Sequence, residues 1–214
     1  MLRSSLLSNS SSDDATAMKA YMRNKFEFLG IKSKARKITQ APFIKDWLIS
    51  KQLDKELVYC LWRRTEREMQ YVAMDYLART KRYWHSKDLA FFKELIENKS
   101  WWDSVDFLAA TCVGGIVRLY PELEKEMDEW NREENLWVIR TSILYQLKYK
   151  DEMNEQRLSR FILAHSDSKE FFIQKAAGWI LREYAKFNPS WVSDFVRSNH
   201  LAPLTQREAL KHIG

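Results

Sequence analysis

Glycine, proline and cysteine are scarce in this chain of 214 residues, which contains five Gly, four Pro and two Cys. A β-sandwich or β-barrel needs many turns, and so few Gly and Pro cannot supply them. Apolar residues make up 45% of the chain, which is enough for a sizeable core and excludes a wholly disordered protein. These features together predict an all-α fold.

The two cysteines and the short apolar runs bear on the compartment. Cys60 and Cys112 each lie in an apolar stretch, so we predict two buried free thiols, as in a reducing compartment. The longest uncharged apolar stretch lies between Asp106 and Arg118, well short of the roughly 20 residues of a membrane helix. Residues 1–7 lack the apolar run of a secretion signal. We therefore expect a cytoplasmic protein without a membrane partner.

The charge balance favours an anionic partner. Lys and Arg number 35 against 29 Asp and Glu, which gives a net charge of +6. Acidic residues gather between Glu122 and Glu129, whereas cations recur further along the chain. These cations are Lys148, Lys150, Arg157, Arg160 and Lys175. Cations that are segregated on repeated helices indicate a phosphate backbone as the partner.

The chain divides into a short polar segment and a long helical one. Residues 8–14 (SNSSSDD) offer nothing to bury, so residues 1–14 are predicted to form a flexible Ser-rich tail. Residues 15–214 are predicted to form a single domain of amphipathic helices. The predicted helices include residues 54–64, 66–83, 87–97, 101–113, 121–130, 134–147, 153–165, 169–187, 189–198 and 203–212.

A 35-residue period runs through these helices. Similar segments start at Arg67, Trp102, Trp137 and Phe172, each 35 residues after the last. A helix pair repeated at this spacing is typical of an α-solenoid, either HEAT-like or TPR-like. Because solenoids curve, equivalent helices line one concave wall. Functional residues that recur on those helices would face a common groove.

Familiar catalytic motifs are missing. The sequence has no G-x-x-x-x-G-K-[ST], G-x-G-x-x-G, H-E-x-x-H or G-x-S-x-G. The four histidines are scattered, without Cys or carboxylate partners at the spacing of metal ligands. Nucleotide hydrolases, triad hydrolases and metal enzymes therefore lose support.

Two polar residues stand out in apolar helices. Trp102 and Asp106 are i, i+4 neighbours on one helix face, and apolar residues surround Asp106 in the sequence. Arg140 interrupts the next apolar helix, which is costly unless the guanidinium meets a partner or a solvated groove. Both also have plain structural interpretations, as a carboxylate near a helix N-terminus and as a snorkelling arginine.

One helix face further along combines an aromatic residue with two cations. Trp179, Arg182 and Lys186 lie at i, i+3 and i+7. Such a stripe is typical of a surface that tracks a nucleic-acid backbone and adds a flat apolar contact. A core tryptophan beside an ordinary charged face fits the same spacing.

In four places the sequence resembles the AlkD-type DNA alkylation repair glycosylases. The similarity covers roughly residues 17–213, and the four stretches come in the same order along the chain. They are AYMRNKFEFLGI (residues 20–31), WWDSVD (101–106), LWVIR (136–140) and GWILREY (178–184). The resemblance implies a right-handed superhelix of HEAT-like helix pairs with a concave basic groove. It also places the protein in the bacterial cytoplasm, associated with the nucleoid.

The resemblance implies an activity and a site. The expected activity is base excision of cationic alkylated purines, 3-methyladenine and 7-methylguanine, from double-stranded DNA, without flipping the base. The implied catalytic residues are Trp102, Asp106, Arg140 and Trp179. The implied DNA-binding residues are Tyr21, Lys148, Arg182 and Lys186. No cofactor, metal or obligate protein partner is implied.

Physical chemistry gives these residues distinct roles. Asp106 is expected to stabilise positive charge on the sugar and to orient the attacking water. Arg140 stays protonated, so it is expected to clamp a phosphate and to help keep Asp106 ionised. The indoles of Trp102 and Trp179 are expected to press against the sugar and exclude solvent.

Two other classes of protein fit the residue pattern. One is a non-catalytic HEAT-like module that binds nucleic acid or protein, which has no need for Asp106 beside Trp102. The other is a TPR-like adaptor that binds peptides, which has no need for stripes of Trp and cations.

Overall fold

The computed structural model describes residues 1–213, and over these residues the chain is all-α, as predicted. The one β-type pairing within them is an isolated bridge between Glu27 and Glu66. The chain packs as two compact units, Met1–Trp84 and the residues from His85 onward. None of the helices in the described part combines the length and apolar character that a membrane crossing requires.

The first unit, Met1–Trp84, consists of five α-helices and two short 3₁₀ turns. The helices are α1 (Leu2–Leu7), α2 (Ser12–Tyr21), α3 (Ser33–Trp47), α4 (Lys55–Trp62) and α5 (Arg67–Arg79). Helix α3 packs against α1 and α5, and α4 packs against α5.

The N-terminal segment is helical rather than the flexible tail that its composition predicted. Leu2 and Leu6 of α1 are buried, Leu6 completely. Arg3 forms an ion pair with Glu66 at 2.7 Å, and the Ser11 side chain caps α2 by accepting the backbone N–H of Asp14. The serine-rich run thus connects and caps two helices, and two leucines give the first of them an apolar anchor.

A buried carboxylate organises the loop between α2 and α3. Glu68 of α5 accepts the backbone N–H groups of Leu29, Gly30 and Ile31 at 3.0, 2.9 and 3.2 Å. Gly30 has a φ of +79°, and a Cβ there would lie 2.0 Å from the carbonyl oxygen of Ser11. Glu68 therefore satisfies three backbone donors of a loop that passes tightly against the start of α2.

The second unit, from His85 onward, carries the later repeats. Its helices are α6 (Asp88–Glu97), α7 (Trp102–Phe107), α8 (Gly114–Leu119), α9 (Glu124–Trp130), α10 (Leu136–Leu144), α11 (Glu155–Leu163), α12 (Phe171–Tyr184), α13 (Pro189–Ser198) and α14 (Pro203–Ala209). Helix α10 packs against α6, α7, α9, α11 and α12, and α12 packs against α13 and α14. The apolar core of the unit therefore forms around α10 and α12.

The predicted period is confirmed in the helix starts. Helices α5, α7, α10 and α12 begin at Arg67, Trp102, Leu136 and Phe171, within one residue of the 35-residue spacing. Their apolar faces account for this, because each helix buries one stripe against its neighbours. The prediction for the thiols is half right, since Cys112 is buried but Cys60 is exposed.

Substitution of Glu68 tests whether its carboxylate stabilises the loop between α2 and α3. We expect Glu68→Gln to lower the free energy of unfolding by about 1–3 kcal/mol, because an amide nitrogen cannot accept a backbone N–H. The measurement is urea unfolding followed by circular dichroism, with the exposed Glu56→Gln of the same unit as control. Equal stabilities for the two variants would contradict this role.

Candidate active site

Helix α7 presents the predicted aspartate close to the start of a repeat. Trp101, with an extended backbone, is the N-cap of α7, and Trp102 and Asp106 lie one turn apart on the helix. Trp101 is 7% exposed and Val105 is completely buried, so this side of α7 faces the core. The Asp106 side chain is 16% exposed, which leaves the carboxylate accessible although it is largely buried.

Arg140 of α10 meets Asp106 in a two-pronged ion pair. Its Nε donates to Oδ1 of Asp106 at 2.7 Å, and its Nη2 donates to Oδ2 at 2.9 Å. Its Nη1 donates to the backbone carbonyl of Phe172. Because both guanidinium edges are occupied and the side chain is only 5% exposed, Arg140 does not stand free to clamp a phosphate. The geometry supports its other predicted role, which is to hold Asp106 ionised and in place.

Three aromatic rings form a cluster that reaches this ion pair through Phe172. Trp137 lies with its ring centroid 4.9 Å from that of Phe172, and Trp101 lies 5.7 Å from Trp137 and 5.1 Å from Phe172. The Arg140 guanidinium carbon is 5.9 Å from the centre of the Phe172 ring. The sequence interpretation missed Phe172 as part of the site. Its position was a usable signal, since Trp137 and Phe172 occupy equivalent places in successive repeats.

Burial dominates the electrostatics of the carboxylate. Loss of solvent raises the pKa of Asp106 above the usual aspartate value, whereas the hydrogen bonds and charge of Arg140 act to lower it. The nearby charge of Asp103 raises it further. Asp106 is therefore a more basic carboxylate than one on an open surface, although it is paired with a permanent cation.

Trp179 lies on α12, the same helix as Phe172. The two residues are seven positions apart on α12, which puts them on one face, two turns apart. Trp179 is partly buried and packs against the apolar core of the second unit. Gly178 next to it permits a close approach of α14, because a Cβ there would lie 2.9 Å from the carbonyl oxygen of Thr205.

The predicted DNA-binding cations of the second unit already have protein partners. Arg182 forms an ion pair with Glu208, and Lys175 shares that carboxylate at 2.9 Å. Lys186 pairs with Glu183. The exposed Lys148 donates to Thr111 in the π-helical segment Leu108–Val113 at 2.7 Å.

Two further cations form ion pairs with the acidic residues between Glu122 and Glu129, from which the sequence predicted them to be segregated. Arg157 is 3.2 Å from Glu124, and Arg160 is paired with Asp128. These contacts reduce the positive field that the sequence alone suggests.

Tyr21 belongs to the first unit. It is the last residue of α2, is 70% exposed, and lines a cavity between α2 and α3.

Of the four predicted catalytic residues, Asp106 and Arg140 are in direct contact. Trp102 lies on the same helix as Asp106, and Trp179 lies on α12, the helix whose Phe172 carbonyl accepts a hydrogen bond from Arg140.

The profile of the DNA alkylation repair enzyme family matches residues 2–213. Among solved structures, the chain is similar to a predicted DNA alkylation repair enzyme from Enterococcus faecalis, with 33% identity over 96% of this chain and 97% of that one and a TM-score of 0.88. It shares its fold with the smu.31 protein of Streptococcus mutans UA159, at 17% identity, 84% and 100% coverage and a TM-score of 0.60. No protein with a curated description matches it closely. On the profile and the 33% identity, the chain belongs to the DNA alkylation repair enzyme family.

Proposed function

We propose that the protein is a DNA glycosylase that hydrolyses the N-glycosidic bond of cationic alkylated purines, 3-methyladenine and 7-methylguanine, in double-stranded DNA without base flipping. The observation that carries the proposal is the Asp106 carboxylate, held by both oxygens on Arg140 beside Trp101, Trp137 and Phe172. Membership in a DNA alkylation repair family supports DNA as the substrate.

One carboxylate is sufficient for this reaction. An N-alkylated purine carries a positive charge, so it takes the electron pair of the breaking glycosidic bond and leaves as a neutral base. No proton has to be given to the leaving group. The positive charge moves to the deoxyribose, where an oxocarbenium ion develops, and water then forms the new bond to the anomeric carbon.

Asp106 can act on the sugar at two stages. A full negative charge about 4 Å from the developing cation is worth roughly 4 kcal/mol at an effective dielectric near 20. That corresponds to about three orders of magnitude in rate, and the positive charge of Arg140 reduces the value. Each carboxylate oxygen keeps a lone pair beyond its bond to Arg140, which can accept a proton of the attacking water.

The supporting residues act by position and by exclusion of water. Arg140 is a positioning residue, because its three hydrogen bonds tie Asp106 on α7 to the first turn of α12. Trp102 and Trp179 offer partly exposed indole faces on the helices that carry the pair. A cation above such a ring gains about 0.5–2 kcal/mol.

The ion pair also supports a second candidate function, that of a non-catalytic DNA-binding module. A carboxylate whose two oxygens are both hydrogen-bonded is equally suited to joining α7 to α10. The two functions differ in what Asp106 does after DNA has bound, and substitution of Asp106 separates them.

Asp106→Asn removes the negative charge and nearly preserves the shape. We expect base release to fall by about two to three orders of magnitude while duplex binding is kept, because the lost interaction forms mainly with the developing cation. Release of 7-methylguanine is measured as alkali-labile abasic sites in methylated duplex DNA. Asp103→Asn, on the same helix, is the matched control and should stay active. Equal release by wild type and Asp106→Asn in folded protein would contradict catalysis by Asp106.

The pKa of Asp106 predicts the acid side of the pH profile. Catalysis needs the ionised carboxylate, and burial raises the pKa of Asp106 above the ordinary aspartate value of 3.8. As the pH falls, base release should therefore begin to decline while the pH is still above 3.8. Single-turnover rates from pH 4 to 8 on a lesion-containing duplex test this. A profile that is flat down to pH 4 would exclude Asp106 as the titrating group.

Arg182 and Glu208 test whether this face of α12 meets DNA. We expect Arg182→Ala to weaken binding equally for all sequences and to reduce the salt slope by about one. Glu208→Gln should have the opposite effect, because it releases both Lys175 and Arg182 from their carboxylate partner. Arg197→Ala on α13, an exposed cation paired with Asp194, is the control. Loss of binding in Arg197→Ala but not in Arg182→Ala would place the DNA elsewhere.

A further inference from the structure

The first unit contains a cavity of about 430 Å³ between α2 and α3. This volume lies within the range of roughly 300–1,000 Å³ that is typical of small-molecule sites. Its apolar lining includes Met18, Met22, Phe28 and Ile31, and Arg36 adds a guanidinium. Helix α2, which covers one side of it, has no fully buried residue, so the space beneath this helix is incompletely filled.

Arg36 gives the cavity a polar group with one unused buried donor. The residue is 7% exposed, and its Nη2 donates to Asp75 at 3.1 Å. Its Nε is buried and has no acceptor among residues 1–213. A guanidinium has five N–H donors, and leaving one buried without an acceptor is costly. An acceptor atom brought into the cavity could relieve that cost after a small shift of the side chain.

The charges around Arg36 favour a neutral ligand over an anion. Asp75 already compensates the guanidinium, and Asp14 compensates Lys32 at 3.1 Å. An anion entering the cavity would therefore lose its water without meeting a free positive charge. A neutral ring with an acceptor atom meets both the apolar lining and the unused N–H of Arg36 Nε.

The shape of the lining favours a flat ring. Tyr71 lies against the guanidinium, 4.9 Å from its carbon atom to the ring centre, and Tyr21 stands 70% exposed at the cavity. Thioether side chains such as Met18 and Met22 pack well against aromatic edges and adapt to their outline. Aromatic and thioether groups thus flank a space that is large enough for a two-ring heterocycle.

We propose that this cavity binds a neutral, planar heteroaromatic molecule of purine size, with Arg36 donating to one of its acceptor atoms. The choice of a methylated purine as its ligand rests on the proposed function, because that base is the neutral product of the reaction. The site lies wholly within the first unit and shares no residue with those that we assign to catalysis.

Calorimetric titration of the intact protein without DNA tests the site. Adenine and 7-methylguanine are the probes, with an expected Kd on the order of 0.1 mM. Indole, a flat two-ring compound with a donor but no ring acceptor, should bind about tenfold more weakly. Failure of both purines to bind at millimolar concentration would overturn the proposal, and so would equal affinity for indole and adenine.

Variants on α2 and α3 locate the binding. Ala17 is exposed at the rim of the cavity, so Ala17→Phe should fill the space and weaken adenine binding at least tenfold without disturbing the core. Ala20→Phe, exposed on the same helix and outside the lining, should leave affinity unchanged. Arg36→Lys keeps the charge next to Asp75 and should weaken adenine binding about tenfold while sparing indole. Equal effects of Ala17→Phe and Ala20→Phe would overturn the assignment.

The two proposals fail separately. Asp106→Asn should lose base release and keep adenine binding, whereas Ala17→Phe should lose adenine binding and keep base release. A protein that binds adenine but releases no base from methylated DNA would contradict the glycosylase proposal alone. A protein that releases base but binds no purine would contradict this site alone.

Discussion

The buried ion pair between Asp106 and Arg140 is the interaction on which the second unit and its site depend. Both groups lose most of their water, and only the two-point geometry at 2.7 and 2.9 Å compensates for that loss. Removing one partner of such a pair typically costs about 3–5 kcal/mol, since the other charge stays buried. Because Arg140 also bonds the carbonyl of Phe172, a single guanidinium joins α7, α10 and α12.

A glycine and a π-helical turn shape the chain that follows Asp106. Helix α7 passes through a π-helical turn before α8 begins at Gly114, where a Cβ would lie 2.0 Å from the carbonyl oxygen of Tyr145. The Tyr149 hydroxyl donates to the Gly114 carbonyl at 2.9 Å. A π-turn widens a helix and redirects the residues on either side of it. It begins at Leu108, two residues after Asp106, so it contributes to the angle at which α7 presents the carboxylate to α10.

The helices and part of the site could be predicted because both depend on local periodicity. Apolar spacing determined the helix starts, and the i, i+4 spacing put Trp102 and Asp106 on one face. The cost of burying Arg140 indicated a partner, but spacing cannot name one that lies 34 residues away, and Asp106 was expected beside it only through the family resemblance. For the same reason the pairing of Arg182 with Glu208 was not foreseen. The helix at residues 2–7 was missed because it was grouped with the polar run that follows it, although Leu2 and Leu6 pack against the rest of the first unit.

The pairing of Asp106 with a permanent cation also limits the chemistry that the site can perform. Arg140 keeps the carboxylate ionised in a place where burial alone would favour the protonated form, so Asp106 is suited to face a cation rather than to donate a proton. A neutral adduct would need a general acid for its departing base, and neither a guanidinium nor indoles can supply one at neutral pH. A purine that is already charged needs no acid. The ion pair that holds α7 to α10 thus also restricts the proposed enzyme to labile, cationic lesions.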